Sequence, residues 1–239
     1  MLGLEALAGE NFAVVTYDQR GVSRSSAPPI DPSNYTFDQY VDDLEAVRKA
    51  AGVEKVHLFG HSWGGLVAMR YATTYPGHVR SIVMMGSGAP AWKELLSGFA
   101  RFEERVRSLQ AQGIIPQDLT RKDGQDDPQL PAYFSDPNFN FSPDDRGGPP
   151  EFSSVASEMT WAAVQGYDLS DEIAHLQLPV LVLCGKDDPY APLSEAVVAA
   201  LTSAKVEYVV LDKCGHFWHE CPGVFFSQVR GFLDLPAVP

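Results

Sequence analysis

Short runs of consecutive apolar residues alternate along this chain with stretches whose apolar positions recur every three or four residues. Phe12–Tyr17, Val56–Phe59, Ser81–Met85, Val180–Leu183 and Tyr208–Leu211 are runs of the first kind. They predict strands. Because they are apolar throughout instead of alternating, they predict strands of a parallel sheet covered on both faces. Residues 36–51 set Phe37, Tyr40, Val41, Leu44, Val47 and Ala51 on one helical face, with Thr36 and Gln39 spaced as a capping box and Gly52 as the stop. A further helical stretch runs from Leu66 to Tyr75. Strands alternating with helices predict an α/β sheet.

Residues Ala89 to Leu178 break this rhythm. Trp92 to Gln112 reads as a helix, but Gly113 to Pro150 is rich in Pro, Asp and Gly, with scattered Tyr133, Phe134, Phe139 and Phe141. The segment holds about twice as many acidic as basic residues and most of the charge imbalance. A polar, aromatic-dotted insertion between two core strands predicts a lid over a site. The expected organisation is a core in two parts, 1–88 and 179–239, interrupted by a lid over 89–178.

The pentapeptide Gly60-His61-Ser62-Trp63-Gly64 lies between the Val56–Phe59 run and the helix from Leu66. A G-x-S-x-G sequence between a strand and a helix describes a sharp turn that lifts a serine hydroxyl above a sheet. Glycines two before and two after the serine are expected where a β-carbon would strike the neighbouring backbone. The serine then sits at a helix N-terminus, which favours a developing oxyanion. A serine hydroxyl needs a base, and the base needs an orienting group. Gly185-Lys186-Asp187-Asp188-Pro189 follows the strand ending at Cys184, and Cys214-Gly215-His216 follows the strand ending near Leu211. All three groups therefore fall at strand C-terminal ends, in the order Ser, Asp, His.

Composition narrows the function classes. The chain has 239 residues, 45% hydrophobic and 21% charged, which is that of a soluble globular protein with room for a substantial core. A net charge of -13 argues against nucleic acid or an anionic membrane as partner. No stretch approaches a membrane span, and the first residues lack the basic and apolar regions of a secretion signal. Three cysteines are too few for a disulfide framework, so a reducing cytoplasm is the expectation. Cys214, His216, His219 and Cys221 are too cramped for a structural zinc site, and no metal or cofactor is expected. Cys184 reads as core, and His219 as the opening of the following helix.

The runs Asp18-Gln19-Arg20-Gly21-Val22-Ser23-Arg24-Ser25, Gly60-His61-Ser62-Trp63-Gly64-Gly65, Gly185-Lys186-Asp187-Asp188-Pro189-Tyr190-Ala191-Pro192 and Gly215-His216-Phe217 resemble the α/β-hydrolase fold family. The likeness is closest to its proline iminopeptidase-like branch. It covers nearly everything except the lid, where Tyr167-Asp168-Leu169 and the run into Leu178 share it. The resemblance implies Ser62 as nucleophile, His216 as general base and acid, Asp188 as the acid with Asp187 in reserve, and Trp63 as one backbone oxyanion donor. Family members carry further strands before the Phe12–Tyr17 strand, the last ending in a His-Gly-Gly-Pro-like loop that supplies the other donor. No such run stands in the first thirty residues here. The expectation is a shortened sheet of about five parallel strands. Phe12–Tyr17 slides inward to pair with Val56–Phe59, and backbone N–H groups around Gln19–Gly21 replace the second donor. The edge of Phe12–Tyr17 would then be open, predicting homo-oligomers. A start upstream of Met1 stays open.

The resemblance implies a serine hydrolase acting on a small-molecule or short-peptide substrate, including removal of N-terminal proline. That specificity needs acidic groups for the substrate's ammonium, and Glu158, Glu151, Glu103 and Glu104 are the candidates. His61 and Trp161 are expected to line the pocket. The catalytic Asp188 is followed by Pro189, where some relatives carry an acid. A small-ester hydrolase therefore competes with the peptidase reading, and a non-catalytic binding protein on the same scaffold is the other alternative.

Overall fold

In a computed structural model of the chain, residues 3–22, 24–120, 127–141 and 154–235 are described. Four parallel strands form one sheet in chain order: β1 (Val56–His61), β2 (Val79–Met85), β3 (Pro179–Gly185) and β4 (Lys205–Leu211). The connections carry helices α1 (Phe37–Ala50) before β1, α2 (Trp63–Thr74) between β1 and β2, and α6 (Ala191–Ala200) between β3 and β4. Helix α7 (Pro222–Phe232) closes the fold. The long β2–β3 connection carries α3 (Trp92–Ala111), α4 (Ser154–Ala163) and α5 (Ser170–Ile173).

Alternate residues of the two inner strands feed opposite layers, as the period of a strand requires. Ile82, Met84, Val180 and Val182 pack with α2 and α6 through Leu66, Met69, Tyr71 and Val197. Val83, Met85, Leu181 and Leu183 pack with Phe225, Phe226 and Val229 of α7. Burial on both faces explains their unbroken apolar runs. β4 is an edge strand, and Lys205, Glu207 and Val210 are exposed.

One expected strand does not form. Phe12–Tyr17 makes no ladder bonds with β1 among the described residues; its one pairing is a bridge between Gly9 and Phe12. Phe12 and Val14 turn inward onto the α7 layer, and Val15 stays 59% exposed. The Phe12 ring lies 5.9 Å from that of His57. Side chains thus hold this segment beside β1 without backbone pairing, and the sheet has four strands, not five.

Helix α1 matches its pattern, with Thr36 Oγ1 accepting from the Gln39 N–H at 3.4 Å. The reciprocal half of the capping box is absent, because Gln39 Oε1 accepts from Arg20 Nη1. Arg20 also forks onto Asp43 through Nε and Nη2, both at 2.8 Å, and so ties the loop after Tyr17 to α1. The base of the β2–β3 connection is closed by the Ala91–Asp168 bridge, with Trp92 N donating to Tyr167 O and Leu169 N to Pro90 O. Its entry and exit therefore lie side by side.

Candidate active site

Ser62 joins β1 to α2 at φ 52°, ψ −120°, a conformation that a non-glycine residue adopts only under constraint. Its N–H donates to Met85 O, and its carbonyl accepts from Gly65 N. The crowding predicted for both flanking glycines falls on one. A β-carbon on Gly60 would stand 2.5 Å from Gly64 O, whereas one on Gly64 would meet open space. The first turn of α2 passes over Gly60 with its carbonyl and points the Gly64 α-carbon outward, so only the first glycine is sterically compelled.

Asp188 and His216 sit on the loops after β3 and β4, both buried. His216 Nδ1 lies 3.0 Å from Asp188 Oδ2. A carboxylate accepts, so Nδ1 carries the proton and Nε2 is left basic. Asp188 Oδ1 accepts from the Tyr190 N–H at 2.8 Å. Asp187 is turned away and accepts from Ser135 Oγ at 2.7 Å. Gly86, directly after β2, lies against the pair; a β-carbon there would be 2.9 Å from His216 Nδ1. Because Met85 O also holds Ser62 N, the end of β2 sets both halves of the site on one rim.

Ser62 and His216 line one cavity of about 930 Å3 with Gln19, His61, Trp63, Trp161, Tyr133 and Tyr190. His61 Nε2 donates to the His216 carbonyl at 2.9 Å. Burial first, then the neighbouring His216, pushes His61 down to about 3, so it stays neutral and keeps that donor. Trp161, on α4, packs its ring 5.6 Å from Trp63 and 5.7 Å from Phe99, forming an aromatic wall. Burial raises Tyr133 to about 12 and Tyr190 further still, so both phenols remain neutral.

The Gln19 loop does reach the site. Trp63 Nε1 donates to Gln19 Oε1 at 3.1 Å. Its expected backbone donors are partly spent: Gly21 N donates to Ser26 O within the loop. The acidic groups expected for an ammonium are misplaced. Glu158, Glu103 and Glu104 are exposed and do not line the cavity; Glu151 lies outside the described residues. Asp127, which no motif in the sequence marks, does line it.

Cys214 and Cys221 are joined in a disulfide that brackets His216. Three cysteines are too few for a disulfide framework, yet two of them pair, so the cysteine count no longer supports the expectation of a reducing compartment. Cys184 is fully buried, and burial raises its thiol to about 12, so it is inert core. No helix among the described residues is long and apolar enough to cross a membrane.

The α/β hydrolase fold family matches residues 3–220. The chain belongs to that family. It is 25% identical to a proline iminopeptidase of Heyndrickxia coagulans, over 98% of this chain and 85% of the relative. A proline iminopeptidase-related protein from Thermus thermophilus shares the fold at TM-score 0.66 and 23% identity, over 91% of this chain and 77% of that one. An esterase from Exiguobacterium antarcticum shares it at TM-score 0.59 and 19% identity, over 91% and 77%. The chain is therefore similar to hydrolases, and the structural likenesses concern the fold.

Proposed function

We propose that the protein is a serine hydrolase that cleaves small esters by acyl transfer. The observation that carries this reading is the strained Ser62 at the start of α2, in one cavity with a histidine whose Nδ1 is held by Asp188. Ser62 Oγ attacks the substrate carbonyl while His216 Nε2 takes its proton. The Trp63 N–H, at the first turn of α2, donates to the oxyanion that forms. Collapse of the tetrahedral species expels the alkoxide, which His216 protonates. Water then attacks the acyl-enzyme with His216 again as base, releasing the carboxylic acid and restoring Ser62. Asp188 steadies the imidazolium in both halves.

Gln19 is the second donor in this reading, through its side chain. The Trp63 indole N–H claims Oε1, which leaves the amide NH2 to donate. Gln19→Glu keeps the acceptor for Trp63 and loses that donor. It should lower kcat by roughly 10²-fold with little change in KM; an unchanged kcat removes Gln19 from the mechanism.

Removal of N-terminal proline is the second reading, supported by the relatives' names and by Asp127, a carboxylate in the cavity able to receive an ammonium. Segment 89–178 would then act as the lid. Turnover of p-nitrophenyl acetate and of proline p-nitroanilide separates the two. Ester turnover alone, abolished by Ser62→Ala, is the expected result. Anilide turnover lost in Asp127→Asn establishes the peptidase instead, and turnover of neither substrate contradicts both.

A further inference from the structure

Glu220, in the turn between His216 and α7, gathers backbone donors from the histidine loop and from the β2–β3 insertion on one carboxylate. Its Oε2 accepts from Gly215 N at 2.7 Å and from Ser135 N at 2.9 Å. Its Oε1 accepts from Asp136 N at 3.0 Å. One carboxylate thus gathers three backbone N–H groups, one beside His216 and two from the β2–β3 insertion. The backbones also meet directly, since His216 N donates to Tyr133 O at 2.7 Å. They approach so closely that a β-carbon on Gly215 would lie 2.3 Å from Tyr133 O. Ser135 Oγ adds the tie to Asp187, next to Asp188.

We propose that Glu220 is a positioning residue that latches residues 133–136 of the insertion onto the histidine loop, so that His216 is held for chemistry only while the insertion is docked. This rests on the serine hydrolase reading of the same site. The physical reason is the demand of three donors on one group. An ionised carboxylate offers acceptor sites on both oxygens and makes charge-assisted bonds. Without it, the N–H groups of Gly215, Ser135 and Asp136 lose their shared acceptor, and among the described residues nothing else joins Gly215 N to the insertion. His216 is the residue next in the chain, so a shift of Gly215 carries directly to the imidazole. A displacement near 1 Å at such a group costs on the order of 10²-fold in rate. Glutamine is a partial substitute. Its single oxygen can keep Gly215 and Ser135, but its NH2 then faces the Asp136 N–H.

The test compares wild type, Glu220→Gln and Glu220→Ala, each counted for active sites by a fluorophosphonate probe before ester turnover is measured. Wild-type labelling first establishes the serine reading independently of Glu220. The expected result is a kcat per labelled site that falls roughly 10- to 100-fold in Glu220→Ala and less in Glu220→Gln, with KM little changed. Hydrogen exchange should quicken together at the 133–136 and 214–216 amides. A purely structural role predicts fewer labelled sites with wild-type kcat at each, and that outcome overturns the proposal. So does faster exchange in one segment alone.

Discussion

His61, the residue before the strained serine, holds the backbone of the histidine that shares its cavity: its Nε2 lies 2.9 Å from the His216 carbonyl oxygen. With Tyr133 O on its N–H and Asp188 on its ring, His216 is gripped at three points from three separate segments of the chain. The geometry gives the second residue of G-H-S-W-G a task that its place in the sequence does not state.

Replacing His61 by Phe keeps the bulk and removes the donor, leaving the His216 carbonyl unpaired at a cost of about 1–3 kcal/mol. Ester turnover should fall roughly tenfold by the same energy scale, and Asn should restore part of it. Because His61 is pushed down to about 3, it stays neutral across the working range. The shape of the pH–rate profile above about pH 5 should therefore be the same in His61→Phe as in wild type. A displaced profile would show that His61 itself exchanges a proton in the reaction.

Asp188 and Asp187 are adjacent in sequence but face different partners. In Asp188→Asn an amide replaces the acceptor on Nδ1–H and disrupts the tautomer that leaves Nε2 basic. The analogous change in serine proteases lowers kcat by about 10⁴-fold, and a loss of that order is expected here. Asp187→Asn should change kcat less than about tenfold, since Asn can still accept from Ser135 Oγ and Asp188 is untouched. Equal losses in the two variants would contradict the assignment.

Glu45 on α1 is buried, yet its carboxylate accepts from Arg48 Nη2 at 2.7 Å and from Tyr71 Oη at 2.7 Å. These hydrogen bonds, Arg48 first, outweigh burial and hold its carboxyl well below the ordinary 4.5. A carboxyl depressed in the folded state binds protons more weakly there than in the unfolded chain. Its stabilisation is therefore complete above about 4.5 and is lost as pH falls below that value. Glu45→Gln should cost about 3 kcal/mol near neutral pH and flatten the loss of stability on acidification. Urea melts at neutral pH and below pH 4 check both statements. An equally steep acid limb in the variant would assign it to other groups.

The sequence pattern makes β1 to β4 and α1 legible because their signal is local: unbroken apolar runs for doubly covered strands and a 3.6-residue stripe for the helix. The chain order of Ser62, Asp188 and His216 on strand ends is legible for the same reason. Phe12–Tyr17 misled because its composition suits a strand, while strand formation requires a paired neighbour that composition does not supply. Glu45 was hidden because an amphipathic count treats a carboxylate as solvent-facing, and its Tyr71 partner is 26 residues away. Glu220 carried only the faint signal of an acid shortly after the histidine. Its partners Ser135 and Asp136 lie in a segment without periodicity, 85 and 84 residues distant. The bonded Cys214–Cys221 pair escaped because a count of three cysteines says nothing about which two adjoin.

Intact-mass and peptide analysis after exposure to a fluorophosphonate tests Ser62 as the nucleophile without relying on any one substrate. One adduct per chain is expected, on Ser62, with no adduct in Ser62→Ala and much slower labelling when His216 is replaced by Ala. No adduct on the folded wild-type protein, or an adduct elsewhere that survives Ser62→Ala, would contradict that role.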